Sequence, residues 1–356
     1  MVPVVDLSRR GAAQAVEYSQ QVAAIARRGV YLLGPETLAF ETSFARWVDA
    51  PHVVAVASGA SALQLALTAV GVGPGDEVIV PAFTAVPTAA AVVAVGAVPV
   101  PVDVEIATAN LDPTLVAAAR TERTRAVIAV HLYGRRATLP HTDLPIVEDA
   151  AQAHGAVTDH GRSAAVAYSF YPTKNLGGIG DGGAVVTTDA HTAETVRRLR
   201  IHGMTQQYVH ESVSQNFRMS EIEAAWLQLG LRDLTAGNAR RRSIAARYRD
   251  AAPALAWHPS SDDHVFHLCV FRADDRDAAR AALAANGVSS AIHYPLALTQ
   301  QPAYARFTRS ACPNAEAWAG SCVSVPCFPE LTDDEVDLVA GALAQLAAGT
   351  AIEAAR

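Results

Sequence analysis

Short runs of residues that are apolar on both faces recur through the first 190 positions, and stretches of helical periodicity separate most of them. That alternation constrains the fold more than any other feature. Val53–Ala57, Glu77–Val80, Val98–Val102, Ala126–His131, Pro145–Glu148, Ala165–Phe170 and Ala184–Thr187 read as strands. Ala60–Val70, Val86–Val95 and Pro113–Arg120 read as helices between them. Strands with no polar face need cover above and below, which predicts a mostly parallel mixed sheet between helical layers. Two helices precede the sheet, one from about Ala12 to Arg28, and one after Gly34-Pro35 with Leu38, Phe40, Phe44 and Trp47 on its apolar face.

Beyond the sheet the pattern changes. Ser220-Glu221-Ile222-Glu223 reads as a capping box opening a helix that carries Ile222, Ala225, Trp226 and Leu229, and a second, long helix follows from about Asp233. A strand Val265–Phe271, a helix Arg276–Asn286, a strand Ser289–Ile292 and a helix Asp333–Leu346 then suit a small α+β domain. The expected division is 1–237 for a large domain with an N-terminal helical segment and 238–356 for the small one.

Composition excludes several classes of function. Apolar residues make up 51% of the chain, yet uninterrupted runs such as Ala89–Val95 are far shorter than the roughly 20 residues that span a bilayer. Met1-Val2-Pro3-Val4-Val5-Asp6 has no basic patch leading into an apolar core, so a cytoplasmic location is expected. A net charge of −7 and a pI near 5.9 argue against nucleic acid as a partner, and Arg240-Arg241-Arg242 reads as the solvated face of a helix. Cys269, Cys312, Cys322 and Cys327 form no C-x-x-C pair and read as buried thiols, while His264 and His267 read as part of a buried strand; no metal site is expected.

Of 28 Lys and Arg residues only one is a lysine, Lys174. Arginine serves equally well as a surface cation but stays protonated, whereas a lysine amine can lose its proton and condense with an aldehyde. From composition alone, survival of one lysine by chance stands level with a chemical requirement. Position favours chemistry: Tyr171-Pro172-Thr173-Lys174-Asn175-Leu176 turns between two buried strands, and Gly177-Gly178-Ile179-Gly180-Asp181-Gly182-Gly183 follows.

An aldehyde cofactor with a phosphate also needs an anion cradle and a carboxylate beside its ring nitrogen. Ser58-Gly59-Ala60-Ser61-Ala62 lies between a strand and a helix, where free amides can meet a phosphate. Asp149 follows the strand 145–148, at the edge where open α/β sheets bind ligands, and can hold a pyridine nitrogen protonated. Its plainer reading is a helix N-cap before Ala150–Ala153. Glu148 is expected to point the other way.

The order of Ala57–Leu63, Gly75–Pro81, Val147–Gly155, Ser169–Gly177, Gly180–Ala184 and Asn216–Glu221 resembles the DegT/DnrJ/EryC1/StrS family of sugar aminotransferases, as do Gly34-Pro35-Glu36 and Cys327–Thr332. The resemblance covers nearly the whole chain. It implies an α/β fold of the aspartate-aminotransferase type, the PLP-dependent transferase fold type I, with a large domain, a small C-terminal domain and a homodimer with shared active sites. It implies pyridoxal 5'-phosphate as cofactor and transfer of an amino group from glutamate or glutamine to a keto group of a nucleotide-linked deoxysugar, by a ping-pong mechanism. Carried over by position, Lys174 forms the Schiff base, Asp149 meets the ring nitrogen and Gln152 lies near the ring hydroxyl. Gly59, Ala60, Ser61 and Ser169 surround the phosphate, and Asn216 reaches the neighbouring subunit's cofactor. His293 and Tyr294 belong to the substrate segment, and Arg218 is a further substrate candidate.

Three positions depart from the family pattern. Ala60 stands where threonine is usual, Ala85 where an aromatic residue stacks on the ring, and Thr299 where histidine is common. Phe83 or another side chain is then expected to cover the ring, or the pocket is more open. Rival functions are an aminotransferase for a keto-cyclitol and a regulator that binds the cofactor without turnover. Lys174 speaks against the family's dehydratases, which carry histidine there. Gly178–Gly183 satisfies G-x-G-x-x-G, but a strand rather than a helix follows it, which disfavours a nicotinamide enzyme.

Overall fold

Helix α1 (Leu7–Arg28) starts five residues before the apolar periodicity does, because Asp6 caps it by accepting from the Ser8 amide. The computed structural model describes residues 1–156 and 161–354. Helix α2 (Pro35–Val48) leads into the sheet: β1 (His52–Val56), α3 (Gly59–Ala69), β2 (Glu77–Pro81), α4 (Pro87–Ala94), β3 (Val98–Val102), α5 (Val116–Ala119), β4 (Thr124–Val130), β5 (Ile146–Asp149), β6 (Ala165–Ser169), β7 (Gly183–Thr187) and α6 (Ala190–Leu199).

These seven strands form one sheet in the order β1-β7-β6-β5-β4-β2-β3, with β7 antiparallel to both its neighbours and every other pairing parallel. The mixed, mostly parallel sheet is the one the alternation predicts. Side-chain parity sorts the strands between two layers. Val54, Val56, Val78, Val80 and Ile128 pack with α3, α4 and α6, whereas Val53, Ala55, Val166 and Tyr168 pack with Phe40 and Phe44 of α2. Each fully buried Val, Ile or Phe of these layers contributes roughly 1.5–3 kcal/mol.

A short hairpin of β8 (Met204–Gln206) and β9 (Val209–His210) precedes α7 (Glu221–Ala251), which is one helix where the sequence suggested two. Gly230 and Gly237 inside it look like breaks in the sequence. They are packing positions: a Cβ would lie 3.2 Å from Leu176 at the first and 3.3 Å from Pro329 at the second. The expected capping box is half formed. Ser220 accepts from the Glu223 amide, but the Glu223 carboxylate accepts from the Gly180 amide at 2.9 Å instead of closing back on Ser220.

The remaining elements are β10 (Ala256–Trp257), β11 (Cys269–Arg272), α8 (Arg276–Ala285), α9 (Pro313–Ser321), β12 (Cys322–Val325) and α10 (Asp333–Ala354), with β10, β11 and β12 antiparallel in that order. Ile244, Ala245 and Tyr248 of α7 belong to the core of this part, while Leu227 and Leu234 belong to the sheet layer. Position 237 therefore lies inside a helix shared by both parts, where its packing partners change. Val2 joins the C-terminal core and pairs with Val288, so the chain's first residues sit with its last hundred.

Three expectations need correction. The strand begins at Cys269 rather than Val265, because Val265 and Leu268 donate to the carbonyls of Gly134 and Tyr133 and not to a neighbouring strand. Ser289–Ile292 contributes only single bridges, such as Ala291 to Ser324. Arg241 is buried and not solvated: its guanidinium donates to the carbonyls of Phe266, His267 and Cys327, tying α7 to the C-terminal part. The four cysteines are buried free thiols. Among the described residues no helix is long and apolar enough to cross a membrane.

Candidate active site

The turns that follow β1, β2, β5 and β6 meet at one edge of the sheet and enclose a cleft of about 280 Å³ lined by Ser58, Gly59, Ala85, Asp149, Gln152 and Lys174, among others. After β1, Ser58 caps α3: its hydroxyl accepts from the Ser61 amide at 3.1 Å and lies 2.7 Å from the Ser61 hydroxyl. Ala62 donates to the Ser58 carbonyl. The Gly59 and Ala60 amides are thereby left at the helix start, facing the cleft with the helix dipole behind them. Ser61 is buried and serves the cap. Gly59 must be glycine here, since a Cβ would lie 2.5 Å from that of Ser169; Gly183 must be too, since its Cβ would fall 2.2 Å from the Ser58 carbonyl.

Asp149 ends β5 and is 5% exposed. One carboxylate oxygen accepts from the Thr88 hydroxyl at 2.8 Å and the other from the Ala151 amide at 3.1 Å. Thr84 lies 3.0 Å behind Thr88, hydroxyl to hydroxyl. Residues 150–153 form a turn, so Asp149 is not a helix cap. Burial raises the Asp149 pKa, opposed chiefly by the Thr88 hydroxyl and the Ala151 amide. Glu148 points to the opposite face, as its parity requires, and pairs with His131 Nε2 at 2.8 Å.

Lys174 stands on the turn after β6, half-buried, with its backbone amide bonded to the Tyr171 carbonyl at 2.8 Å. Asn175 pins that turn by donating to Asn238 Oδ1 of α7 at 2.8 Å and to the Val265 carbonyl at 3.0 Å. Burial of the amine pushes the Lys174 pKa down to about 8, and the Asp149 charge opposes the shift. A lysine so placed has an appreciable neutral fraction near neutral pH.

Gln152 is fixed at both ends, accepting from the Tyr133 amide at 2.6 Å and donating to the Tyr294 hydroxyl at 2.9 Å. Tyr133 itself has φ +60 and donates its hydroxyl to the His293 carbonyl. An adjoining space of about 260 Å³ on the other side of Lys174 is lined by Arg241, His267, His293 and Tyr294. A larger one of about 560 Å³ between α1 and α7 reaches residues 173–175 but touches neither Asp149 nor the Ser58 turn, so it is not the cofactor cleft.

The predicted residues divide in two. Gly59, Ala60, Ala85, Asp149, Gln152, Ser169 and Lys174 converge on the cleft, with His293 and Tyr294 beside it. Asn216 and Arg218 do not line either space: Asn216 is exposed, and its Oδ1 accepts from Arg218 Nε at 2.8 Å. Phe83 does not cover the ring, because it is buried between Trp318, 6.3 Å away, and Tyr294, 6.4 Å away. Ala85 lines the cleft in place of an aromatic ring. Thr299 bonds Glu316 instead of facing the cleft. Thr88 and Tyr133 were not singled out from the sequence; the i, i+4 spacing of Thr84 and Thr88 at a helix start was the one available signal.

The profile of the DegT/DnrJ/EryC1/StrS aminotransferase family matches residues 13–344. The chain belongs to this family. A member from Streptomyces venezuelae, dTDP-3-amino-3,4,6-trideoxy-alpha-D-glucose transaminase, is 42% identical over 349 residues, covering 93% of this chain and 92% of that one. A member from Saccharopolyspora erythraea, named erythromycin biosynthesis sensory transduction protein EryC1, is 43% identical over 361 residues, with 96% and 98% covered. The X-ray structure of S. venezuelae DesV, in complex with a ketimine intermediate, superposes with a TM-score of 0.91 at 41% identity, over 97% of this chain and 98% of DesV. The protein is an aminotransferase of the α/β PLP-dependent fold. Its cofactor is pyridoxal phosphate; the crystal structure of ntda from Bacillus subtilis, similar at 26% identity with a TM-score of 0.91 over 98% of this chain and 85% of that one, holds the cofactor as PMP.

The cleft fits that group. Asp149 is a buried carboxylate held by neutral donors, and a protonated ring nitrogen supplies the opposite charge it lacks. The closely packed glycines leave room at the α3 start for a phosphate, and a primary amine stands within the same walls.

Proposed function

We propose that the protein moves an amino group from glutamate or glutamine to a keto group of a nucleotide-linked deoxysugar, in two half-reactions at one cleft, and that it works as a homodimer. The observation that carries this reading is the chain's single lysine, its amine desolvated between a helix N-terminus and a buried carboxylate. The S. venezuelae relative, named for a dTDP-amino sugar, supports the acceptor class.

Pyridoxal phosphate, when bound, supplies an electron sink for the carbon that loses or gains a proton. The protein's residues do the rest. The Gly59 and Ala60 amides and Ser169 would hold the phosphate, and Asp149 would keep the ring nitrogen protonated. Lys174 would hold the aldehyde through its amine and, once free, would carry a proton at the reacting carbon. Its lowered proton affinity suits it to act as a base, and the low polarity that lowers it also strengthens the Asp149 contact. The space beside His293 and Tyr294 gives the substrate a polar wall next to the amine.

Adding glutamate or glutamine to the purified holoprotein is expected to convert its visible absorbance to that of the amino form. A dTDP- or UDP-linked keto-sugar is expected to restore it, and product carrying label from ¹⁵N donor completes the test. A spectrum indifferent to both donors overturns the donor assignment. Restoration by keto-cyclitols and not by nucleotide sugars overturns the acceptor class.

A further inference from the structure

The His267 ring has two nitrogens and two neighbours: the turn that carries Lys174, and the space beside that amine. A chain of amides behind it assigns one nitrogen to each. A carbonyl oxygen only accepts, so the His154 carbonyl, 2.7 Å away, fixes the NH₂ end of Asn238 and turns Asn238 Oδ1 toward Asn175. The NH₂ end of Asn175 donates to that Oδ1 at 2.8 Å and to the Val265 carbonyl at 3.0 Å. Asn175 Oδ1 is thereby left facing His267 Nδ1, 3.2 Å away, and Nδ1 carries the hydrogen. In the neutral ring Nε2 is then a bare lone pair.

No group among the described residues bonds that nitrogen. Both ring nitrogens of His154 are enclosed without a partner, whereas His267 has no nitrogen so enclosed. Its ring forms part of the wall of the space of about 260 Å³ that Lys174 and His293 also line. Burial, and after it the charges of Lys174 and Arg241, hold the His267 pKa well below the usual histidine range, so the ring stays neutral. Nε2 can receive an O–H or N–H from a molecule lying beside the Lys174 amine. The carboxylates of an amino acid only accept and gain nothing there. A sugar offers hydroxyls, which are neutral donors.

We propose that His267 is a specificity-determining residue for the acceptor, its Nε2 accepting a hydrogen bond from a ring hydroxyl of the bound keto-sugar. This rests on the acceptor class proposed above. One imidazole then serves both substrate and lysine: Nδ1–H braces Asn175, the residue after Lys174, and Nε2 reads the sugar. A sugar that lacks the hydroxyl leaves Nε2 unpaired in a desolvated wall and is disfavoured for it.

His267→Asn separates the two roles, because the shorter amide keeps a donor near the Nδ1 position and leaves the Nε2 position empty. With a dTDP- or UDP-linked keto-sugar that wild type turns over, His267→Asn is expected to raise KM about tenfold and leave kcat unchanged, as for loss of one hydrogen bond. Among mono-deoxy analogues of that sugar, one is expected to show the same KM in both proteins. Conversion of the holoprotein by glutamate or glutamine is expected to run at the wild-type rate. An equal rise in KM for every analogue, an unchanged KM for the full sugar, or a slower donor reaction overturns the proposal. If the Asn protein does not fold, His267→Gln and His267→Met take its place: they share the loss at Asn175 and differ in the outer acceptor, so equal KM values for the full sugar overturn the proposal. Failure of wild type to turn over any nucleotide-linked keto-sugar overturns instead the acceptor class on which it rests.

Discussion

At the scale of single residues, the chemistry depends on how burial shifts Asp149 and Lys174 and on the bonds and charges that oppose it. Thr88 supplies one of two neutral bonds that favour the Asp149 carboxylate against its burial. Thr88→Val, which keeps the shape, is expected to weaken pyridoxal phosphate binding and lower kcat by about 10- to 100-fold, the cost of a hydrogen bond to a charged group; an unchanged kcat contradicts this. The Lys174 amine, with its pKa pushed down to about 8, gains its reactive neutral form as pH rises. The rate at which apoprotein recombines with pyridoxal phosphate is expected to climb with pH and level off above about 8, and a midpoint near the ordinary lysine value of 10.5 counts against the buried amine. Lys174 was legible in the sequence because no other residue type can do its work and the chain has one of it. Thr88 was not, because its partner lies 61 positions away and only the fold brings them together.

Among the elements, the sheet was legible because strands buried on both faces leave a plain signature. The C-terminal part was less so: β10 has two residues, and Val265 and Leu268 spend their amides on the Tyr133 turn, so apolar pattern and strand no longer coincide. α7 is continuous across the expected second start near Asp233, with Gly230 and Gly237 packed closely against Leu176 and Pro329. Tight packing of the α3 turn predicts that Gly59→Ala, which drives a methyl into Ser169, weakens pyridoxal phosphate binding by two orders of magnitude or more while the apoprotein stays folded by circular dichroism. At the other end of the sheet, Glu77 of β2 is buried with Arg309, Thr121 and Arg123, and their bonds pull its pKa down to about 2. A carboxylate depressed in the folded state stabilises above its unfolded value near 4.5 and ceases to as pH falls toward 2. Both guanidiniums are partly exposed, so the contribution is on the order of 1 kcal/mol. Wild type is expected to lose its stability advantage over Glu77→Gln in urea titrations between pH 4.5 and 2.5, and a constant difference across that range contradicts the assignment.

For the whole molecule, α7 and Arg241 join the two parts, and the cleft is lined by residues between Ser58 and Asp181. The exposed Asn216, oriented by Arg218, lies apart from the cleft of its own chain. In a homodimer with shared sites, mixing Lys174→Ala with Asn216→Ala protein under subunit exchange is expected to restore activity to as much as about a quarter of wild type, while each alone is inactive or nearly so; no restoration contradicts sharing. The account as a whole depends on one covalent bond. Borohydride reduction of the holoprotein, followed by digestion and mass spectrometry, reads that bond directly. The account predicts a stable pyridoxyl phosphate adduct on the peptide that contains Lys174. An adduct on the chain's amino terminus, or none at all, contradicts it.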